Sequence, residues 1–348
     1  MPAFVKIAGQ LSAGVRREFL SPNKVRLTLS WGFPYEAFGP SATVKPWHVL
    51  NLVESGRALS FNSLPNQPEQ SLFLCVQDLY SHYGLFQGSV KLNIFKELYD
   101  ISIPKTPLVL EKELVYVGKS SMNLHTDVIL PSKSLTLASC EVQSVLIDRE
   151  TRRPAPHPDW WREKFGQYTD ATKQLKVNVR KEPEEDTIRG GEFESKDNTS
   201  HKLNNGEFTA KDQKLTDQNS NSSLHLPDLL PLSERVTSYN LTVCESDSDS
   251  YGHANWSVYL KYCLDALVMG SPSEASKELK RRAVKSAEIS YISEGSVGQE
   301  VCVKFWKDEV VPRGVHFHII GCDSKQLMNY VFVQFYSLED VELMLSKL

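Results

Sequence analysis

The chain has 348 residues, 41% of them hydrophobic and 24% charged, with a formal net charge of −4. That length is comfortable for two cores, and the composition is that of a folded globular chain rather than a fibrous or disordered one. A net negative charge gives no general attraction to nucleic acid or anionic membrane, and no apolar run approaches the ~20 residues of a membrane span.

Six cysteines, Cys75, Cys140, Cys244, Cys263, Cys302 and Cys322, are widely spread and form no C-x-x-C pair. They read as thiols in a reducing compartment, neither a disulfide framework nor a zinc site. The first 17 residues carry Lys6, Arg16 and Arg17 and no acid before Glu18. That pattern suits an ordinary first element or a mitochondrial presequence. The expected location is cytoplasmic, with the mitochondrial matrix as the alternative.

In chain order, a turn at Phe38-Gly39-Pro40 precedes a helix predicted over 45–60. An insertion over 62–105 holds Phe73, Leu74, Leu79, Tyr80, Phe86, Ile94, Phe95, Leu98 and Tyr99, and is expected to form helices that cover one sheet face. Strands are predicted over 108–117, 124–130 and 135–147. From about residue 180 the chain is polar and poor in large apolar residues, too poor to offset its ordering entropy. It is read as a disordered linker over 180–232. Beyond it, a helix is predicted to start near His253, carried by Tyr259, Tyr262, Cys263, Ala266 and Leu267 and stopped by Gly270 and Pro272. Four strand-like runs follow, three of them alternating: Val301/Val303/Phe305, Val315/Phe317/Ile319 and Val331/Val333/Phe335. The fourth covers 287–292.

One helix followed by long antiparallel strands, twice over, is an α+β plan. Glu113-Leu114-Val115-Tyr116 set against Glu288-Ile289-Ser290-Tyr291, and Glu54 set against Asp265, suggest a duplication. The expected domains are 1–179, carrying the helical insertion, then the linker, then 233–348.

The densest chemistry lies at Asp249-Ser250-Tyr251-Gly252-His253-Ala254-Asn255-Trp256-Ser257-Val258-Tyr259. A carboxylate, a glycine, an imidazole and an amide stand within seven residues, just ahead of a predicted helix N-terminus with its unpaired N–H groups. The plain alternative for Asp249 is a turn or cap residue. His316 and His318 share one strand face; without a third ligand they read as an exposed sheet face, and no metal is expected. Lys277, Lys280, Arg281, Arg282 and Lys285 read as a solvated basic run.

The spacing Asp249-x-x-Gly252-His253-x-Asn255, with Tyr259 inside a helix and strands beyond, resembles the hot-dog acyl thioesterases. The run from Val145 to Pro154, with Pro158, resembles the last strand and arginine–proline tail of such a domain. The resemblance covers both parts but neither the linker nor the insertion. It implies a double hot-dog: two long central helices, each wrapped by an antiparallel sheet, a pseudo-dimer in one chain.

It further implies hydrolysis of an acyl-CoA or acyl-carrier-protein thioester, with no cofactor. Asp249 would serve as general base or nucleophile, helped by His253 and Asn255, and helix N-terminal amides near Asn255 and Trp256 would face the oxyanion. Gly252, Trp256 and Tyr259 would contact substrate. Glu54 matches a helical acid that is catalytic in some branches. The first part departs from the pattern, because Pro40 stands where histidine is expected. A homodimer of such pseudo-dimers is compatible with the plan. Two rivals remain: a non-catalytic acyl-thioester binding or scaffold protein, and a hydratase or dehydratase on the same fold.

Overall fold

The computed structural model describes residues 12–64, 72–183, 230, 232, 236–249 and 252–345. Most of the predicted linker, residues 184–229, lies outside the described residues.

Two strands lead: β1 (Val15–Ser21) and β2 (Lys24–Leu29). The helix α1 (Pro46–Phe61) follows, within a residue of its predicted bounds. Pro46 opens it, where a missing N–H costs nothing. Then come β3 (Tyr83–Ile94), β4 (Leu108–Val117), β5 (Ser121–Leu130) and β6 (Leu135–Asp148). The later part holds β7 (Thr237–Thr242), the helix α2 (Val258–Met269), β8 (Val284–Tyr291), β9 (Glu300–Lys307), β10 (Gly314–Gly321) and β11 (Leu327–Phe335).

All eleven strands join one antiparallel sheet in the order β1-β2-β4-β5-β6-β3-β8-β11-β10-β9-β7. From the β3–β8 seam outward, the two sides repeat. The first strand after each helix lies at the seam, and the strand before each helix pairs with the second strand after it. At the seam Lys91 faces Glu288 in register, with Nζ 3.2 Å from Oε1.

This topology corrects two expectations. The 62–105 segment is not purely helical, because it contains β3, the seam strand. The counterpart of β8 is therefore β3, and Glu113–Tyr116 on β4 corresponds to β9 instead. β3 shows no continuous strand period in the sequence because Gly88 sits in a bulge between Gln87 and Ser89, which resets the alternation. The remainder of the segment does supply helical turns. Phe73, Leu74, Val76 and Leu79 pack on Phe61, Leu114, Leu124 and Trp161 in a separate apolar cluster.

The main core lies between the helices and one face of the sheet and spans both parts of the chain. Val49, Leu50, Val53 and Leu59 of α1 are buried with Leu260, Cys263, Ala266 and Leu267 of α2, and with alternate residues of the strands. Gly56 lets α1 settle on β4, since a Cβ there would come within 2.6 Å of Leu110 Cδ1. The C-terminal carbonyls of α1 are capped by a buried cation on β1. Arg17 Nη1 donates to Leu59 O (3.1 Å) and Asn62 O (2.8 Å).

The opposite sheet face is not open everywhere. Residues 169–180 run across it: Asp170 N donates to Val115 O on β4, Asn123 Nδ2 on β5 to Lys173 O, and Gln143 Nε2 on β6 to Leu175 O. The strap ends on β10, where His318 Nε2 bonds Arg180 O at 2.8 Å. His316 and His318 are therefore buried, at 5% and 7% exposure, and not the solvated face expected. His316 is further held by Asp308 Oδ2 (2.6 Å) and Tyr330 Oη (2.8 Å).

Candidate active site

The loop between β7 and α2 carries the singled-out residues. Helix α2 begins at Val258, five residues later than the predicted start near His253, because Asn255 folds a turn ahead of it. Asn255 Oδ1 accepts from Ser257 N (3.0 Å) and from Ser257 Oγ (2.9 Å). The Asn255 N–H is spent on Asp247 O at 2.8 Å, so it is not the oxyanion donor expected of it.

The loop separates two polar neighbourhoods. The first holds Asp249, Gly252 and His253. Asp249 N donates to His253 O (2.8 Å), Gly252 N to Asp249 O (3.1 Å), and His253 N to Asp249 Oδ1 (3.3 Å). Gly252 makes this turn possible through its φ of +76°, while a Cβ there would meet nothing within 4 Å. Its role in the turn is conformational freedom. His253 Nδ1 lies 3.1 Å from Glu294 Oε2, with both side chains about two-fifths exposed. A carboxylate on Nδ1 fixes the tautomer and leaves Nε2 as an acceptor. The link is invisible in sequence, because the bridge from His253 to Ser296 creates it.

The second neighbourhood is a cleft of about 310 Å³ between the two helices. Asn51, Glu54 and Ser55 of α1 line one side, and Asp247, Asn255 and Ser257 the other. Ser257 Oγ lies 2.5 Å from Asn51 Oδ1. Asp247, missed in sequence beside its neighbour Asp249, is 6% exposed and accepts from Lys261 Nζ (2.8 Å) and Tyr262 Oη (3.1 Å). That environment pushes the Tyr262 phenol far above its ordinary value, by burial first and then by the Asp247 charge.

Glu54 faces this cleft but is fully engaged. Arg57 Nε and Nη2 reach its two oxygens at 2.8 and 2.5 Å, and Trp256 Nε1 donates to Oε2 at 3.0 Å. Burial alone would raise its pKa; Arg57, the Trp256 bond and the charge of Lys112 hold it below the usual carboxylate range. A carboxylate so satisfied is a poor base and a poor nucleophile. Trp256 and Tyr259 are likewise tied to the protein. Tyr291 Oη donates to Trp256 O (2.9 Å), and Gly295 N donates to Tyr259 Oη (2.9 Å).

The structure thus groups Asp249 and His253 with Glu294, and Glu54 and Asn255 with Asp247. Asp249 is half-buried at the edge of the loop and is not among the residues lining the cleft. Among the described residues no three His, Cys, Asp or Glu side chains are arranged to hold a metal ion.

No family model matches the chain, and no curated protein matches it either. Solved structures do. A 12:0-ACP thioesterase from Umbellularia californica is 13% identical, with a TM-score of 0.53 over 92% of this chain and 99% of that one. An acyl-ACP thioesterase from Bacteroides thetaiotaomicron VPI-5482 is 13% identical, with a TM-score of 0.55 over 89% and 98%. An oleoyl thioesterase (putative) from Lactobacillus plantarum is 12% identical, with a TM-score of 0.53 over 94% and 98%. The chain has the hot-dog fold that these thioesterases share.

Proposed function

We propose that the chain is a double hot-dog thioesterase that hydrolyses an acyl-CoA or acyl-carrier-protein thioester at the loop preceding α2. The fold likeness extends over about nine-tenths of the chain, which supports this class of reaction. The repeated order of strands around the β3–β8 seam supports the double arrangement.

The observation that carries the chemistry is the contact of His253 Nδ1 with Glu294 beside Asp249. Asp249 takes a proton from water, and the resulting hydroxide adds to the thioester carbonyl. The C–S bond then breaks, and protonated Asp249 returns its proton to the departing thiolate, while His253, oriented by Glu294, accepts a hydrogen bond from the attacking water through Nε2. Glu54 is a positioning residue here. It holds the Trp256 indole, and with it the approach to α2.

The test is a thiol-release assay over CoA and carrier-protein esters of varied chain length. A lone base is worth ~10²–10⁴-fold. Asp249→Asn should lose about that factor with an unchanged melting temperature, and His253→Gln and Glu294→Gln should lose activity together. Wild-type turnover in all three variants rejects the assignment.

A second reading, binding without hydrolysis, is favoured by one observation. Both acids lining the cleft, Glu54 and Asp247, already have cationic or hydroxyl partners. Calorimetric binding of acyl thioesters with no thiol released would select it.

A further inference from the structure

The loop ahead of α1 repeats the hydrogen bonds of the loop ahead of α2. Gly39 N donates to Thr43 O (2.8 Å) as Asp249 N does to His253 O (2.8 Å). Ala42 N donates to Gly39 O (2.9 Å) as Gly252 N does to Asp249 O (3.1 Å), and Lys45 N donates to Ala37 O (2.8 Å) as Asn255 N does to Asp247 O (2.8 Å). Ala42 takes the left-handed backbone of Gly252, with a φ of +56° against +76°. This register places Gly39, Thr43 and Lys45 where the second part has Asp249, His253 and Asn255. The backbone of the site is kept in the first part, while its acid and imidazole are not.

A cavity of about 270 Å³ lies beside this first loop. Phe38 and Ala42 line it from the loop, and Leu98, Ile101, Ile103 and Lys105 from the connection between β3 and β4. That connection is the counterpart of the one between β8 and β9, which carries Glu294. The walls are mostly apolar, and the exception is Lys105, only 9% exposed. Its Nζ donates to Asp100 O and Ile103 O, both at 2.6 Å. An ammonium has three N–H groups, so these bonds leave one for a ligand. Burial, against the charge of Asp100 and with that of Lys133, brings the Lys105 pKa down to about 8, so the group is still mostly cationic at neutral pH. Asp100 also borders the cavity, but its Oδ1 is engaged by Ser102 N (3.0 Å) and Ser102 Oγ (2.6 Å). The backbone beneath Lys105 is closely packed, since a Cβ on Gly32 would come within 1.9 Å of Lys105 O.

We propose that this cavity is a second site, separate from the Asp249 loop, that binds one medium-chain monocarboxylate, with the carboxylate on Lys105 Nζ and the chain against Phe38, Leu98, Ile101 and Ile103. Such an acid is the class of product that the proposed hydrolysis releases, but the site rests on the cavity and not on that reading. One available N–H suits a monoanion; a phosphate dianion would lose more hydration than a single donor replaces. An uncharged chain would cover the ammonium without giving it a partner. The volume, just below the ~300 Å³ at which small-molecule pockets begin, limits the chain to medium length.

The experiment titrates the full chain by calorimetry with hexanoate, octanoate and palmitate, and with octanol and octylammonium as neutral and cationic ligands of the octanoate length. Octanoate should bind about tenfold or more tighter than octanol, as a charge-assisted hydrogen bond requires, and octylammonium should not bind. Palmitate should bind more weakly than octanoate or hexanoate. Lys105→Met should bring octanoate down to the level of octanol, and Lys105→Arg should keep part of the difference. Ile101→Trp fills the cavity and should remove octanoate binding with an unchanged melting temperature. Asp249→Asn should leave octanoate binding as it is, which separates this site from the loop ahead of α2.

Octanoate binding that survives both Lys105→Met and Ile101→Trp overturns the proposal, because the acid then sits elsewhere. Equal affinities for octanoate and octanol, or no binding of either, overturn it as well. Should Lys105→Met fail to fold, Ile101→Trp and the preference for octanoate over octanol decide in its place. Thiol release is measured separately, so a chain that binds octanoate at Lys105 without cleaving thioesters upholds this site and rejects only the thioesterase reading.

Discussion

The indole Nε1 of Trp256 donates to Glu54 Oε2 at 3.0 Å, across 202 positions of sequence. This bond ties α1 to the loop that presents the candidate site. A charge-assisted hydrogen bond of this kind is worth about 1–2 kcal/mol. A double-mutant cycle with Glu54→Gln and Trp256→Phe should show coupling of about that size in urea unfolding. Glu54→Gln should cost more on its own, about 2 kcal/mol, because it leaves Arg57 without its carboxylate. Additive losses would mean that the bond carries no energy.

Arg17 supports the other end of α1. Arg17→Met keeps much of the packing volume but strips the helix carbonyls of Leu59 and Asn62 of their donor. The expected loss is about 2–3 kcal/mol, from carbonyls left buried and unpaired. Chemical denaturation measures it, and a change below 0.5 kcal/mol would show that water replaces the cap.

His125 gives stability a pH dependence. Its ring lies between Asp127 (3.0 Å) and Glu141 (3.8 Å) on β5 and β6. The hydrogen bond to Asp127, and then the nearby Glu141 carboxylate, raise its pKa from 6.5 to about 9. A raised folded-state pKa adds stability that is fully present below about pH 6.5 and disappears as the pH climbs through 9. The ring is 30% exposed, and with solvent screening the contribution is about 1 kcal/mol. His125→Asn should therefore be less stable than wild type at pH 6 and equal to it near pH 10. A deficit that does not vary with pH contradicts the assignment.

Gly252→Ala tests the turn before His253. No neighbour obstructs a methyl group, so the whole cost is that of holding φ at +76°, about 1 kcal/mol. Gly252→Asn should recover part of it, since asparagine tolerates this region better. An alanine variant with unchanged unfolding free energy would show that the turn relaxes freely.

Much of the plan was readable before folding. Alternation in Val315, Phe317 and Ile319 and the 3.6-residue spacing in Tyr259, Tyr262, Cys263 and Ala266 mark core faces, and each of these residues is at most 3% exposed. Local pattern fails where two patterns overlap. Gly88 breaks the alternation of β3, so the seam strand was hidden inside a supposed helical insertion. On β10 the outward histidines obey the strand period and are still buried, because a distant segment ending at Arg180 lies on them. Periodicity reports which face a side chain takes, not what later covers that face.

The candidate site divides in the same way. The cluster from Asp249 to Asn255 announced itself through residue types at short spacing. The division of labour inside it did not. Asp247 rather than Asp249 enters the cleft, and Glu294 supplies the partner of His253. Glu54 is consumed by Arg57 and Trp256.

By itself, the sequence determined the two helices, most of the strands and the place where reactive groups gather, because all of these depend on neighbours a few residues apart. Which carboxylates are satisfied and which imidazole is oriented were decided by the tertiary structure. Hydrogen bonds and ion pairs act over about 3 Å of space regardless of separation along the chain.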